Sequence, residues 1–241
     1  MRIVILAAVL AAGLSGAAPA ALGDEPVVGY VVANQDYPPA FPRDGARLVL
    51  DNRWGSAWDV LYTPGQPTPM HRHRRDSIGV ELADSSVTVT TPDGAKQTFP
   101  SKRGESYYMP RGTTHIELTP VGFAPRHAVI IELKDGTAEP APAPAFPEPA
   151  FPGPDANKVA ESPRVVLWNY AWAGTAQAGV RLTHNAFIVI VDGGVLTATG
   201  TDGRARTQTV APGQVLFRPA GAMLAETATA GPVRAVVAEL K

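Results

Sequence analysis

The sequence predicts an all-β chain built as two similar barrels. Short runs rich in β-branched and aromatic residues alternate throughout with Gly, Pro, Asn and Asp turn signals. No segment has a convincing amphipathic helical period. The second half of the chain also repeats patterns of the first half, as expected for two copies of one fold.

Turn signals divide the first half into eight short strands. The Pro-Asp-Gly turn at 92–94 joins two of them as a hairpin. One continuous strand over 70–82 carries two histidines, and alternation places Arg72 and Arg74 on its outward side. The predicted strands are 47–51, 57–62, 70–82, 86–91, 96–99, 106–109, 114–119 and 127–133.

Four patterns of the first half return in order in the second, where strands are predicted at 187–191 and 195–199. Such an ordered repeat indicates two domains of one fold. The paired patterns are 48–52 with 165–169, 91–94 with 200–203, the Gly-x5-Pro-x-Gly runs from Gly104 and Gly213, and the endings 132–134 and 239–241.

A Pro- and Ala-rich segment at 137–163 separates the two copies. Its composition favours extended polyproline II and lacks the residues for a packed core, so it is predicted to be a semi-rigid linker. The predicted first domain is therefore 24–136 and the second is 164–241.

The first 23 residues have the pattern of a signal peptide. Arg2 precedes an apolar run at 3–14 and a zone of small residues, and cleavage is expected before Asp24. The apolar run is shorter than the roughly 20 residues that a membrane span needs. We expect a mature protein without a membrane span, located in the periplasm or secreted.

Composition excludes some classes of function. The 241 residues include 21 basic and 22 acidic residues, so the near-neutral charge does not indicate a nucleic-acid partner. The chain has no cysteine, which excludes disulfides, thiolate catalysis and thiolate metal sites.

Three of the five histidines form a pattern suited to metal binding. His71 and His73 are two residues apart, so on a β-strand they point to the same side. His115 follows a Pro110-x-Gly112 turn, which suits a third ligand from a neighbouring strand. Imidazole nitrogens at these positions could reach one ion.

These residues resemble the two motifs of the cupin superfamily, G-x5-H-x-H-x3-4-E-x6-G and G-x5-P-x-G-x2-H-x3-N. The resemblance implies two double-stranded β-helix (jelly-roll) barrels, a bicupin, with one divalent metal in the first. Thr119 stands where the second motif has asparagine. The matching residues are Gly65, His71 and His73 in the first motif, and Gly104, Pro110, Gly112 and His115 in the second.

The glutamate ligand of the first motif is missing, because Ser77 and Ile78 occupy its place. Asp76 is the nearest acid, but an unbroken strand would point it to the other face. Glu81 and Glu117 each lie an even number of residues from a motif histidine, so on a strand they point to the same side as that histidine. The fourth ligand is therefore left open among Asp76, Glu81, Glu117 and water.

The second copy lacks the ligand pattern. Leu224 replaces His115, and the only histidine near the expected pair is His184, which we interpret as structural. The second domain is thus predicted to be a degenerate cupin without metal ligands.

Two functions fit this pattern: a metalloenzyme acting on a small molecule, or a non-catalytic small-molecule binding or sensor protein with a vestigial metal site. A purely structural bicupin is a third option, which the retained histidine spacing disfavours. Glu81, Glu117 or a tyrosine could supply an acid or base, but no catalytic residue is assigned. The metal is not distinguished among Fe, Mn, Ni, Cu and Zn. The resemblance also suggests a homodimer.

Overall fold

The computed structural model describes residues 36–135, 151–152, 156–172, 174, 180–199 and 204–241, and its regular elements in these ranges are β-strands. No helix in these ranges has the length and apolar character to cross a membrane. The strands are β1 Ala46–Asp51, β2 Gly55–Tyr62, β3 His71–Arg72, β4 Ser77–Glu81, β5 Ser85–Thr90, β6 Lys96–Ser101, β7 Ser106–Met109, β8 Thr114–Leu118, β9 Arg126–Leu133, β10 Ala156–Glu161, β11 Val165–Trp172, β12 Val180–Arg181, β13 Ala186–Asp192, β14 Gly194–Thr199, β15 Ala205–Val210, β16 Val215–Arg218, β17 Met223–Leu224, β18 Thr227–Ala230 and β19 Val233–Leu240.

The first nine strands form a jelly-roll barrel of two antiparallel sheets. One sheet has the order β1-β2-β9-β4-β7 and the other has the order β3-β8-β5-β6. Alternation along β9 explains how the first sheet is buried on both sides. Ala128 and Ile130 face the barrel interior, whereas Val129 and Ile131 face the second barrel.

The second barrel repeats the first. Its large sheet, β10-β11-β19-β13-β16, has the same order of equivalent strands, with smaller sheets β12-β17 and β15-β14-β18 opposite. The first hairpins even share their register, since Ala46 pairs with Val60 and Ala156 with Tyr170. Both hairpins also carry a register shift at the equivalent point. The predicted all-β fold of two similar barrels is confirmed.

The outer faces of the two large sheets pack against each other in one continuous apolar core. Trp54 of the first barrel stacks on Phe217 of the second, with ring centroids 6.5 Å apart. At the edge of this contact, Arg164 lies 3.0 Å from the carboxylate of Asp76. Each large sheet is therefore covered on both faces.

The predicted continuous strand at 70–82 is wrong, because this segment forms two strands in different sheets. β3 pairs with β8, and β4 begins at Ser77 between β9 and β7. A chain passing from one wall of a barrel to the other must bend, and residues 73–76 make that bend. His71 and His73 nevertheless share the inward side, where both are buried.

The predicted linker also extends too far. β10 lies within 137–163 and pairs along β11, so the second barrel begins before residue 164. Phe151 is buried with its ring centroid 5.7 Å from that of Trp168. Residues 137–150 and 153–155 of the linker, the predicted signal peptide and the predicted turn at 200–203 lie outside the described residues.

Candidate metal centre

Three histidines meet in the interior of the first barrel. His71 on β3 is the direct cross-strand partner of His115 on β8, and His73 follows the end of β3. Their ring centroids are between 4.7 and 5.4 Å apart, and one nitrogen of each lies within 4.8 Å of the others. Each residue is 1–2% exposed. The structure thus brings all three predicted ligands together.

A tight turn fixes the third histidine relative to the second. Gly112 has φ +90°, a left-handed conformation that glycine adopts readily. Its N–H donates to the carbonyl of His73 at 2.8 Å, and the N–H of His73 donates to the carbonyl of Thr113 at 2.9 Å. The turn is therefore bonded directly to the backbone of one ligand while it leads into another.

Hydrogen bonds to the outer ring nitrogens orient two of the imidazoles. His71 Nδ1 lies 2.9 Å from the carbonyl of Pro69, which only accepts, so this nitrogen carries the proton. His73 Nδ1 lies 3.2 Å from the hydroxyl of Ser77, which in turn donates to the carbonyl of Arg75. Nε2 of each ring is then left with a lone pair directed inward. Such outer contacts are the usual means of orienting metal-binding histidines.

The three Nε2 atoms of the group leave room for a partner atom between them. His71 Nε2 is buried without a hydrogen-bond partner. His73 Nε2 and His115 Nε2 lie 3.3 Å apart, and if both are unprotonated they have no hydrogen bond to share. Buried polar atoms are usually paired, so these lone pairs fit a cation placed among the three rings.

Burial keeps the three imidazoles neutral. Desolvation is the largest influence on each pKa, and it lowers that of His115 to about 4, that of His73 well below its ordinary value and that of His71 below it. The negative charge of Glu117 opposes this effect at all three rings without overcoming it. Neutral imidazole is the form that binds metal ions.

A buried ion cluster lies beside the histidines. Arg126 is 2% exposed, and its guanidinium donates to Glu81 at 2.6 Å, to Glu117 at 2.8 Å and to the hydroxyl of Tyr107 at 2.6 Å. Burial would raise the pKa of Glu117, but Arg126, the strongest of the opposing charges, holds it well below its ordinary value. Both carboxylates are therefore firmly held in ion pairs.

A second arginine reaches this cluster from the N-terminal strap, which we define as residues 38–43. The strap lies along β3. The N–H of Ala40 donates to the carbonyl of Arg72, and the N–H of Arg72 donates to the carbonyl of Pro38. From its end, Arg43 donates to the hydroxyl of Tyr62 at 2.9 Å and lies 3.3 Å from Glu117. The Arg43 side chain is 11% exposed, and its Nε is buried without a partner.

The carboxylates considered as a fourth ligand do not belong to the histidine group within the described residues. Asp76 points away from the barrel interior, towards the backbone N–H of Arg111 at 2.9 Å and towards Arg164. Glu81 and Glu117 point inward, as their parity predicts, but are held by Arg126. Ser77, in the place of the motif glutamate, bonds the outer nitrogen of His73 instead.

Two tyrosines beside the second motif and the two histidines outside the motifs have structural contacts. Tyr107 is the inward tyrosine, and Tyr108 packs against the core between the barrels. His127 lies 2.6 Å from Asp59, and His184 lies 3.3 Å from Glu239. The two histidines outside the motifs are thus paired on the barrel walls.

Sequence reasoning missed the two arginines. Arg126 had a usable signal, because it heads an apolar strand in phase with the inward-facing Ala128 and Ile130. Arg43 had none, because it lies in a Pro- and Gly-rich approach to β1 whose path depends on tertiary contacts.

A cavity of about 460 Å³ is lined by residues of the ion cluster and of the second barrel. Its walls include Glu81, Tyr107 and Arg126 from the first barrel and Asn169 from the second. The three histidines are not among its lining residues.

The second barrel fills the equivalent interior with apolar side chains. Val180 and Leu224 pair across β12 and β17 as His71 and His115 pair across β3 and β8. Leu182, two residues after Val180, is fully buried in this core. The described part of the second barrel therefore has no counterpart of the histidine group.

No protein-family model matches the chain. The curated relative "Beta-alanine degradation protein BauB" of Pseudomonas aeruginosa is 28% identical over 74 residues, which are 31% of this chain and 77% of the relative. The solved structure of AerE from Microcystis aeruginosa has a TM-score of 0.61 at 11% identity and covers 83% of this chain and 94% of that one. The cupin 2 conserved barrel domain protein from Leptotrichia buccalis has a TM-score of 0.51 at 12% identity, with 81% and 88% covered.

The fold and these similarities define the class: the chain has the fold of the cupin 2 conserved barrel domain protein and of AerE. It is a protein of two jelly-roll barrels, of which the first holds a buried group of three histidines able to bind a metal ion.

Proposed function

We propose that the first barrel binds one divalent metal ion through His71, His73 and His115. The observation that carries this proposal is the state of the inward nitrogens. Two rings have their outer nitrogens occupied, and His71 Nε2 is buried without a partner. An all-imidazole set suits Fe, Mn, Ni, Cu or Zn and does not choose among them.

We further propose that a small molecule occupies the remaining coordination positions. Three protein ligands leave a metal open to water or substrate, which is the usual arrangement of a catalytic site. The first candidate function is therefore a metalloenzyme acting on a small molecule. The name of the BauB relative supports a substrate of the size of beta-alanine, although that protein matches only part of this chain.

The second candidate is a non-catalytic binding or sensor protein. Two observations favour it: the motif glutamate is replaced by Ser77, and the histidines are almost inaccessible at 1–2% exposure. Turnover separates the two candidates. An enzyme would convert a small acid or related compound when loaded with metal, whereas a binding protein would only be stabilised by it.

Export remains part of the proposal. The N-terminal pattern supports cleavage before Asp24 and a periplasmic or secreted protein. N-terminal sequencing of protein recovered from the periplasmic and medium fractions tests the cleavage site and the location. The resemblance supports a homodimer, which sedimentation tests. A chain that retains Met1 in the cytoplasm would contradict export.

The test of the metal site is elemental analysis of protein purified without chelators or affinity tags. We expect about one metal ion per chain, and less than a tenth of that in the His71→Ala/His115→Ala variant. His184→Ala is the matched control, since this histidine lies in the second barrel, and it should keep full occupancy. Wild-type protein that takes up no metal even on reconstitution would refute the proposal.

A further inference from the structure

The charges of the ion cluster beside the histidines balance without a metal ion. Arg43 and Arg126 contribute two positive charges, and their partners Glu81 and Glu117 contribute two negative charges. All four side chains are between 2% and 11% exposed, so solvent screens them weakly.

A divalent ion held by three neutral imidazoles would disturb this balance. The carboxylate that would offset part of its charge is missing, because Ser77 stands in the place of the motif glutamate. Glu81 and Glu117 are committed to arginines. The loaded site would therefore carry two uncompensated positive charges in a desolvated interior, which favours an anion as the further ligand.

Arg43 has the geometry to meet that anion. One of its terminal nitrogens donates hydrogen bonds to both Tyr62 and Glu117, while its buried Nε–H has no acceptor. Arg43 lies 3.3 Å from Glu117, which is two residues from His115 on β8 and buried like it, so the guanidinium lies beside the histidine group. Guanidinium groups bind carboxylates through neighbouring N–H donors.

We propose that the site takes a small carboxylate, which binds the metal through one oxygen atom and accepts a hydrogen bond from Arg43 through another. Arg43 is thus a specificity-determining residue for the ligand of the first barrel. This inference rests on the proposed metal site and adds the chemical class of its ligand.

The test uses the full-length protein loaded with Co²⁺, whose visible spectrum changes when a ligand enters its coordination sphere. Metal content is measured first, and a wild-type protein that binds no Co²⁺ or other divalent ion overturns both the metal site and this inference. With metal bound, acetate and malonate are titrated against the neutral acetamide. We expect the anions to shift the spectrum at concentrations at least about tenfold lower than acetamide. Equal affinity would overturn the inference while leaving the metal site intact.

Variants at residue 43 locate the recognition. Arg43→Gln should retain one Co²⁺ per chain but bind the carboxylates about tenfold or more weakly, the usual effect of losing a hydrogen bond to a charged group. Arg43→Lys keeps the positive charge but lacks the planar pair of N–H donors, so its affinity for the carboxylates should lie between those of wild type and Arg43→Gln. Arg47→Gln, at an arginine with a 75% exposed side chain, is the matched control and should bind like wild type. Unchanged carboxylate affinity in Arg43→Gln would overturn the role of Arg43. If that variant does not fold, the comparison of acetate with acetamide in wild type still decides the ligand class.

Discussion

Gly79 lies directly beneath the ring of Tyr107, so that a Cβ atom at residue 79 would come within 2.1 Å of the ring. The two residues are cross-strand partners on β4 and β7. With no side chain below it, the ring lies flat across β4, and its hydroxyl meets Glu81 at 3.1 Å and Arg126 at 2.6 Å. The absence of a side chain at Gly79 therefore lets the Tyr107 hydroxyl reach the buried ion cluster.

Gly79→Ala should displace the Tyr107 ring and lower the free energy of unfolding by about 1–3 kcal/mol, the range for overpacking a core. Urea denaturation measures the loss. In a Tyr107→Ala background there is no ring to displace, so the same change should cost much less. Equal costs in the two backgrounds would show that the ring contact is not responsible.

Arg126→Met should leave Glu81 and Glu117 buried without their main cation. Removing one partner of a buried ion pair costs about 3–5 kcal/mol, because the remaining charge is desolvated and unpaired. The free energy of unfolding at neutral pH measures the effect. Arg47→Met is the control: the Arg47 side chain is 75% exposed, and a pair with such an exposed arginine contributes about 1 kcal/mol or less. A loss below about 1 kcal/mol at Arg126 would mean that the cluster relaxes or admits water.

Local patterns were enough to predict the two barrels and the three histidines. The histidine group follows from signals within a few residues, such as the His-x-His spacing and the turn at Gly112, and the two barrels follow from short patterns that repeat between the halves of the chain. The bend at 73–76 was missed because it has no Gly or Pro, and it follows only from the position of the two sheets. The role of Arg43 depends on Glu117, 74 residues away, and no local pattern records such a contact.

Asp76 links the barrels in a pH-dependent way. Burial would raise the pKa of this carboxyl, but the N–H of Arg111 and the charge of Arg164 outweigh burial and lower it below its ordinary value of 3.8. Because the folded-state pKa is depressed, the stabilisation is fully present above that value and is lost as pH falls through the folded-state pKa.

Asp76→Asn should therefore destabilise the protein at pH 6, with a difference from wild type that shrinks as the pH falls below about 4. Urea denaturation between pH 2.5 and 6 measures this difference. Asp44→Asn, at an exposed position outside the contact between the barrels, is the control. A difference that stays constant over this range would exclude the ionised carboxylate as its source.

Phe41 anchors the N-terminal strap over the barrel. Its ring is 6% exposed and stacks on Trp58 with centroids 5.1 Å apart and an angle of 8° between the planes. Two backbone hydrogen bonds to Arg72 tie the strap to β3, beside His71, and the Arg43 side chain ties the end of the strap to Tyr62 and Glu117. Because the strap is a short segment beside His71, we expect its local opening to let a metal ion leave the site without global unfolding.

Phe41→Ala should accelerate metal loss, because truncating a buried aromatic ring removes about 3–5 kcal/mol of packing that holds the strap closed. Transfer of the metal to an excess of chelator measures the release rate, which we expect to rise by at least about tenfold. Phe123→Ala is the matched control, since Phe123 is 50% exposed, and it should release metal like wild type. The global unfolding rate of each variant is measured in parallel, because release through the strap must be faster than unfolding. If Phe41→Ala releases metal at the wild-type rate, or only as fast as it unfolds, the strap does not gate the site.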